Sequence, residues 1–259
     1  MKKILLSVLF TVLSVVELQA NVTQEQCSQK GDNFIFAGGE CIQYVKFKGE
    51  VEDKLNIIVH GTWKSGTNTL GRYAPFAETI NMNTDITTVA VALPGYSGSS
   101  TNKIKDLNHG SNSVYTKEYI EFMASLIKAL KEKFNATTVN YIGHSAGASL
   151  GVNVVALNPD LLQSVTAAGG RFNLDKFKEN EKVGLVTISD HLDSIKDTKL
   201  LLVYGTKDTI SEPQVTKDFY KLVQNKGVDV KIVEVKGAEH IDLDMTDPSV
   251  EAITELVTQ

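Results

Sequence analysis

From Lys54 onward the chain alternates short apolar runs with longer stretches of mixed polarity. Leu55 to Val59, Ile86 to Leu93, Val139 to Ile142, Val165 to Ala168, Leu200 to Tyr204 and Val230 to Val235 are rich in β-branched residues and bounded by Gly, Asn or Pro. That is the pattern of strands buried on both faces. Helical stretches fall between them. The clearest runs from Thr116 to Phe134, with Tyr119, Ile120, Met123, Leu126, Ile127, Leu130 and Phe134 on one stripe and Lys128, Lys131, Glu132 and Lys133 opposite. Pro213 opens a later helix that Gly227 closes, and Asp247-Pro248 starts another that runs to the C-terminus. Ahead of this alternation, Asn33 to Ala37 and Cys41 to Phe47 flank Gly38-Gly39, a turn that tolerates positive φ, and predict a hairpin. With no repeat and no low-complexity linker, the whole predicts an α/β fold. Its expected form is a single doubly wound, mostly parallel sheet flanked by helices, with an N-terminal β-hairpin.

Composition narrows the function classes. With 22% charged and 42% hydrophobic residues in 259, the chain is of ordinary globular make-up, which excludes disorder or coiled coil as its main content. Its 26 basic residues against 31 acidic ones give a formal charge of −5, which argues against a nucleic-acid partner. Residues 1–20 read as a signal peptide: Lys2 and Lys3, the apolar run Ile4 to Val16, then Leu18-Gln19-Ala20 as a small-residue cleavage site. The run is shorter than the roughly 20 residues of a membrane span. Cleavage after Ala20, a periplasmic or secreted protein with no stable membrane anchor, and a domain over 21–259 are therefore expected. The two cysteines, Cys27 and Cys41, form an even pair in an exported chain and predict one disulfide. The polar stretch Thr23-Gln24-Glu25-Gln26 does not fit a lipidation signal before Cys27, and two cysteines without nearby histidines are too few for a metal site.

The chemistry concentrates at strand ends. Gly143-His144-Ser145-Ala146-Gly147 follows one apolar run and precedes an apolar helical segment, which is G-x-S-x-G at a strand-to-helix turn. The glycines permit a tight path that projects the Ser145 hydroxyl at the sheet edge. A serine needs a base, and the base needs an orienting carboxylate. Of the five histidines, His240 stands in Lys236-Gly237-Ala238-Glu239-His240, just after the last predicted strand. His60, His109, His144 and His191 read as structural or solvated. Asp208 closes Gly205-Thr206-Lys207-Asp208 after the strand Leu200 to Tyr204, with Asp190 and Asp242 as fallback acids. Ser145, Asp208 and His240 thus each follow a different strand.

On these residues the sequence resembles the α/β-hydrolase family of serine hydrolases over roughly Lys54 to Gln259. The motifs that carry the resemblance are His60-Gly61, Pro94-Gly95-Tyr96-Ser97-Gly98-Ser99, the turn at Ser145, Gly205 to Asp208 and Gly237 to His240. The resemblance implies that Ser145, His240 and Asp208 act as nucleophile, base and acid. It also implies that the N–H groups of Ala146 and Thr62 form an oxyanion hole. Trp63, Tyr96 and His144 lie beside these motifs and are the candidate pocket residues. The chain departs from relatives with an H-G-G-G loop, because Thr62-Trp63 follows His60-Gly61. The segment between the strands ending near Ala168 and starting at Leu200 is too short for a large helical cap, and Phe172, Leu174 and Phe177 either line the rim of the site or pack a small helix.

The expectation is an exported serine hydrolase acting on a carboxylic ester, with a small-molecule or acyl-ester substrate. A peptidase or amidase on the same residues is the nearest alternative, and a catalytically silent binding module is the alternative from another class. No His-rich ligand cluster and no G-x-G-x-x-G after a first strand point to a metal or a cofactor.

Overall fold

A computed structural model describes residues 21–109, 113–186 and 188–259; the expected signal segment, residues 1–20, lies outside them. The described residues form one eight-stranded sheet. Its strands are β1 (Phe34–Ala37), β2 (Glu40–Phe47), β3 (Val51–Val59), β4 (Ile86–Val91), β5 (Thr138–His144), β6 (Ser164–Ala168), β7 (Lys199–Gly205) and β8 (Val230–Val235), in the order β1-β2-β4-β3-β5-β6-β7-β8. β1 and β2 form the expected antiparallel hairpin, and β2 joins it antiparallel to β4; every other pairing is parallel.

The helices are α1 (Gln24–Gln29), α2 (Thr69–Thr84), α3 (Lys117–Lys133), α4 (Ala146–Leu157), α5 (Pro213–Asn225) and α6 (Asp247–Thr258). α2 packs on α6 and α3 packs on α4, which clothes the sheet with helix pairs. No described helix is long and apolar enough to cross a membrane. α3 matches its sequence pattern closely. Thr116 caps it by accepting from the Tyr119 N–H, its apolar stripe is buried, and Lys131 and Lys133 sit in the last turn where the helix dipole favours cations. α2 carries Pro75 in its interior, which removes one helical hydrogen bond. Burial of Tyr73, Phe76, Ala77 and Ile80 along one face outweighs that loss.

The central strands are buried on both faces, as their composition predicts. β8 is a correction to that pattern: of its six residues only Val235 is buried, because an edge strand has a neighbour on one side alone. Within the apolar centre runs a ladder of polar side chains. The Asn56 amide donates to Thr88 Oγ1 (3.1 Å), the Asn140 amide donates to Asn56 Oδ1 (3.0 Å), and Ser164 Oγ donates to Asn140 Oδ1 (2.7 Å). These four buried residues are register partners on β4, β3, β5 and β6.

The N-terminal segment is fastened to this sheet at two points. Cys27 of α1 and Cys41 of β2 form the predicted disulfide, with Cα atoms 5.5 Å apart and both residues buried. Glu40 is fully buried, and its carboxylate accepts from Ser100 Oγ (2.6 Å) and from the backbone N–H groups of Asn102 (2.7 Å), Lys103 (2.5 Å) and Ile104 (2.8 Å). The hairpin therefore holds the loop that follows β4.

Closing a loop of about 15 residues restricts the unfolded chain by about 3 kcal/mol. The double variant Cys27→Ser/Cys41→Ser is expected to lose stability by up to that amount in urea unfolding. A midpoint equal to that of the oxidised parent would show that the bridge constrains nothing the hairpin contacts do not already hold.

Candidate active site

Ser145 stands between the end of β5 and the start of α4 with φ 55° and ψ −117°, a conformation that costs a non-glycine residue about 1–3 kcal/mol. Its surroundings enforce the bend. A Cβ on Gly143 would come within 2.5 Å of the Gly147 carbonyl oxygen, and one on Gly147 within 2.4 Å of the Val59 carbonyl oxygen. The Ser145 N–H donates to the Ala168 carbonyl of the neighbouring strand (2.8 Å), which fixes the turn to β6.

The structure brings Ser145, His240 and Asp208 together. His240 Nε2 is 2.9 Å from Ser145 Oγ, and His240 Nδ1 is 2.7 Å from Asp208 Oδ2. An ionised Asp208 only accepts, so Nδ1 carries the proton and Nε2 is left to accept from the serine hydroxyl. The Asp208 side chain is fully enclosed, whereas that of His240 is 16% exposed. Burial alone would raise the Asp208 pKa. The hydrogen bond from His240 and those from the Ser211 and Ile210 N–H groups (both 2.8 Å to Oδ1) outweigh it and hold the carboxyl below the ordinary value. Of the fallback acids, Asp242 is ion-paired with Arg72, and Asp190 is exposed in the turn Ile188–Ile195.

The remaining predicted residues divide. Thr62 and Ala146 line a common cavity, and among the described residues neither backbone N–H has a protein acceptor. Trp63 borders the site, with the Arg72 guanidinium 4.6 Å above its ring. Tyr96 does not belong to the pocket. It is fully buried, its hydroxyl donates to the Trp63 carbonyl (2.9 Å), and burial pushes its pKa up to about 12. It supports Trp63 from below. His144 reaches the cavity wall but is 3% exposed, and its polar contacts run elsewhere. Nε2 donates to the His240 carbonyl (2.9 Å), and Nδ1 accepts from the Tyr73 hydroxyl (3.2 Å). His144 thus ties the turn at Ser145 to the loop carrying His240. Phe172, Leu174 and Phe177 stay out of the rim. Phe172 stacks on Phe219 at 4.2 Å, and Phe177 meets the Tyr115 ring edge-on.

Sequence reasoning missed Asp244, which lies in the turn Leu243–Met245. It is completely buried with neither carboxylate oxygen hydrogen-bonded, and burial raises its pKa. A single aspartate before an apolar helix gives no signal of burial in a sequence.

Two cavities meet at Ser145. One, of about 420 Å³, is bordered by Trp63, Lys207, Glu239 and Ile241; the other, of about 450 Å³, by Leu107, Asn108, Val114, Tyr115, Ser149 and Arg171. Thr62, Ser145, Ile210 and His240 line both. A strained serine, a histidine hydrogen-bonded between it and an enclosed carboxylate, and two N–H donors without an acceptor among the described residues, between two hollows, form an arrangement chemically able to support acyl transfer.

Comparison with known proteins identifies the fold that carries this site. The profile of the α/β-hydrolase fold matches residues 57–186. No curated protein sequence matches the chain. Among solved structures, the chain is similar to the esterase Pf2001 of Pyrococcus furiosus, at 18% identity and a TM-score of 0.63, over 92% of this chain and 95% of that one. It is also similar to an enol-lactonase from Burkholderia xenovorans LB400 (14%, TM-score 0.65, 87% and 100%) and to Est1E from Butyrivibrio proteoclasticus (16%, TM-score 0.60, 86% and 95%). At these identities the likeness is one of fold.

His60, at the end of β3, offers a test of how the loop bearing Thr62 is held. Its Nδ1 donates to the Gly61 carbonyl (2.7 Å) and its Nε2 accepts from the Leu93 N–H (3.0 Å). Burial pushes its pKa down to about 4 from 6.5, so the ring is neutral in the folded protein. The unfolded chain takes up a proton below about pH 6.5 and the folded protein only near 4. Stability from this group is therefore full above 6.5 and declines as pH falls through that window, by roughly 2 kcal/mol between pH 7 and pH 4.5. Urea midpoints at the two pH values should fall less in His60→Gln than in the parent by about that amount. Equal falls would mean that the ring is not held neutral.

Proposed function

The chain belongs to the α/β-hydrolase family, and we propose that it is a serine hydrolase that cleaves carboxylic esters through an acyl-enzyme on Ser145. The observation that carries this reading is the run of hydrogen bonds from Ser145 Oγ through His240 to Asp208, beside two backbone N–H groups with no protein acceptor. In this reading His240 Nε2 takes the hydroxyl proton as Ser145 Oγ attacks the ester carbonyl carbon. Charge developing on the carbonyl oxygen meets the Ala146 and Thr62 N–H groups. The imidazolium, held and stabilised by Asp208, gives its proton to the departing alcohol oxygen as the carbon–oxygen bond breaks. Water then repeats the sequence in place of the serine and releases the acid.

Preference for an ester over an amide draws support from the similar structures. The Pyrococcus furiosus protein is an esterase, and the Burkholderia xenovorans protein acts on an enol-lactone, which is a cyclic ester. The proposal extends to location. An N-terminal segment of signal-peptide character and a buried disulfide fit a periplasmic or secreted enzyme with a small-molecule ester as substrate.

Ser145→Ala is expected to fold, to lose covalent labelling by a fluorophosphonate probe and to hydrolyse esters several orders of magnitude more slowly. Labelling that survives the substitution would overturn the assignment of the nucleophile.

Asp208→Asn is expected to lower kcat by about 10³ to 10⁴, because an amide stabilises the wrong His240 tautomer and cannot offset the imidazolium charge. Near-parental kcat in that variant would place the orienting acid elsewhere.

A further inference from the structure

The two cavities that meet at Ser145 differ in charge. At the first, Lys207 and Glu239 are both exposed and of opposite sign, and Trp63, Ile210 and Ile241 supply its apolar surface. Ile210 and Ile241 are more than half exposed, an unusual state for two isoleucines at one opening. At the second cavity, Arg171 is the one Lys, Arg, Asp or Glu among the described residues of the lining. The rest are neutral, several of them polar: Asn108, Tyr115, Ser149 and Ser211.

Arg171 is held firmly at its backbone and lightly at its tip. Its N–H donates to Ser149 Oγ (2.9 Å), one turn into α4 behind Ser145, and its carbonyl accepts from the Tyr115 hydroxyl (3.0 Å). Of the five guanidinium N–H donors, one is used among the described residues, from Nη2 to the Ile210 carbonyl (2.6 Å). Among the described residues no carboxylate pairs with it. A cation that lines a cavity shared with the nucleophile, with most of its donors unused and no counter-charge, is matched to an anion brought by the ligand. In a chain of net charge −5 the general field works against anions, so the local guanidinium decides whether one is accepted.

We propose that the substrate is an ester that itself carries a carboxylate, and that the second cavity receives this group on Arg171 while the apolar part lies in the first cavity against Trp63 and Ile241. The inference rests on the reading of Ser145 as nucleophile and adds the substrate class. Arg171 acts here as a specificity residue and takes no part in bond making.

The test compares ethyl hydrogen adipate, with its carboxylate on the acyl half, and 4-acetoxybutanoate, with it on the alcohol half, against ethyl hexanoate and butyl acetate, followed by pH-stat. For the parent, at least one anionic ester should exceed its neutral counterpart in kcat/KM, and added salt should narrow the gap. Arg171→Gln should reduce that anionic-to-neutral ratio at least tenfold, chiefly through KM, and Arg171→Lys should restore part of it. A purely structural role, tethering the Ile210 loop, would lower all esters together and leave the ratio unchanged; that result overturns the proposal. Calorimetric titration of Ser145→Ala with ethyl hydrogen adipate and 4-acetoxybutanoate separates this proposal from the esterase reading. Binding that Arg171→Gln abolishes would uphold the anion site even if no ester were turned over. Absence of binding together with an unchanged ratio would refute the anion site while leaving the esterase intact.

Discussion

The position of every candidate functional group depends on the register of the central strands. Ser145, Asp208, His240 and Thr62 all lie just beyond a strand end, on β5, β7, β8 and β3. Slipping any of these strands by one residue would move its loop by about 3.3 Å and exchange its faces. The run Thr88, Asn56, Asn140, Ser164 opposes such slips across β4, β3, β5 and β6. Each amide in it is buried and finds a partner only when the strands align as they do. In an apolar interior a misaligned strand would leave these groups unpaired, at about 1–3 kcal/mol for each. Hydrophobic burial makes the sheet, and the polar ladder selects one alignment of it.

The loops above the sheet are secured by the same device, a buried polar side chain that bonds to backbone. Glu40 gathers the N–H groups after β4, His60 joins the ends of β3 and β4, His144 holds the carbonyl of His240, and Asp208 collects the N–H groups of Ile210 and Ser211 while orienting the His240 ring. Burial and hydrogen bonding oppose each other at Asp208, whose enclosure would otherwise push its carboxyl towards the neutral form. The bonds that lower its pKa also build the loop that delivers it.

What was legible in the sequence follows from how local each signal is. The apolar strands, the helix after Thr116, the hairpin around Gly38-Gly39 and the turn at Ser145 are written in neighbouring residues, and so is the placement of Asp208 and His240 just after strands. Tyr96 and His144 both adjoin motifs, yet His144 reaches the cavity wall and Tyr96 lies in the core, because where a side chain ends up is decided by neighbours distant in the chain. For His144 the deciding partners are Tyr73 and His240; for Tyr96 they are Trp63 and the core. α2 was not distinguished because Pro75 contradicts local helix propensity and only packing restores it. The exposure of β8 follows from being last in the sheet order, which its composition does not encode.

Arg171 shows where this division leads. The groups around Ser145 sit at strand ends with buried hydrogen bonds on several sides. Arg171 comes from the stretch between β6 and β7, whose described residues hold 3₁₀ helices at Glu179–Glu181 and Ile188–Ile195 and no α-helix. Its backbone is anchored to Ser149 and Tyr115, and its charged end by a single bond to the Ile210 carbonyl. That bond reaches the loop whose Ile210 and Ser211 N–H groups hold Asp208, so one contact joins the side chain to the candidate site, while the strand register and the strained serine rest on other residues. In the proposed reading, selection among substrates can change at this position while the polar ladder and the turn at Ser145, which set the frame, stay as they are, because the bonds that hold those two come from β3, β4, β5 and β6.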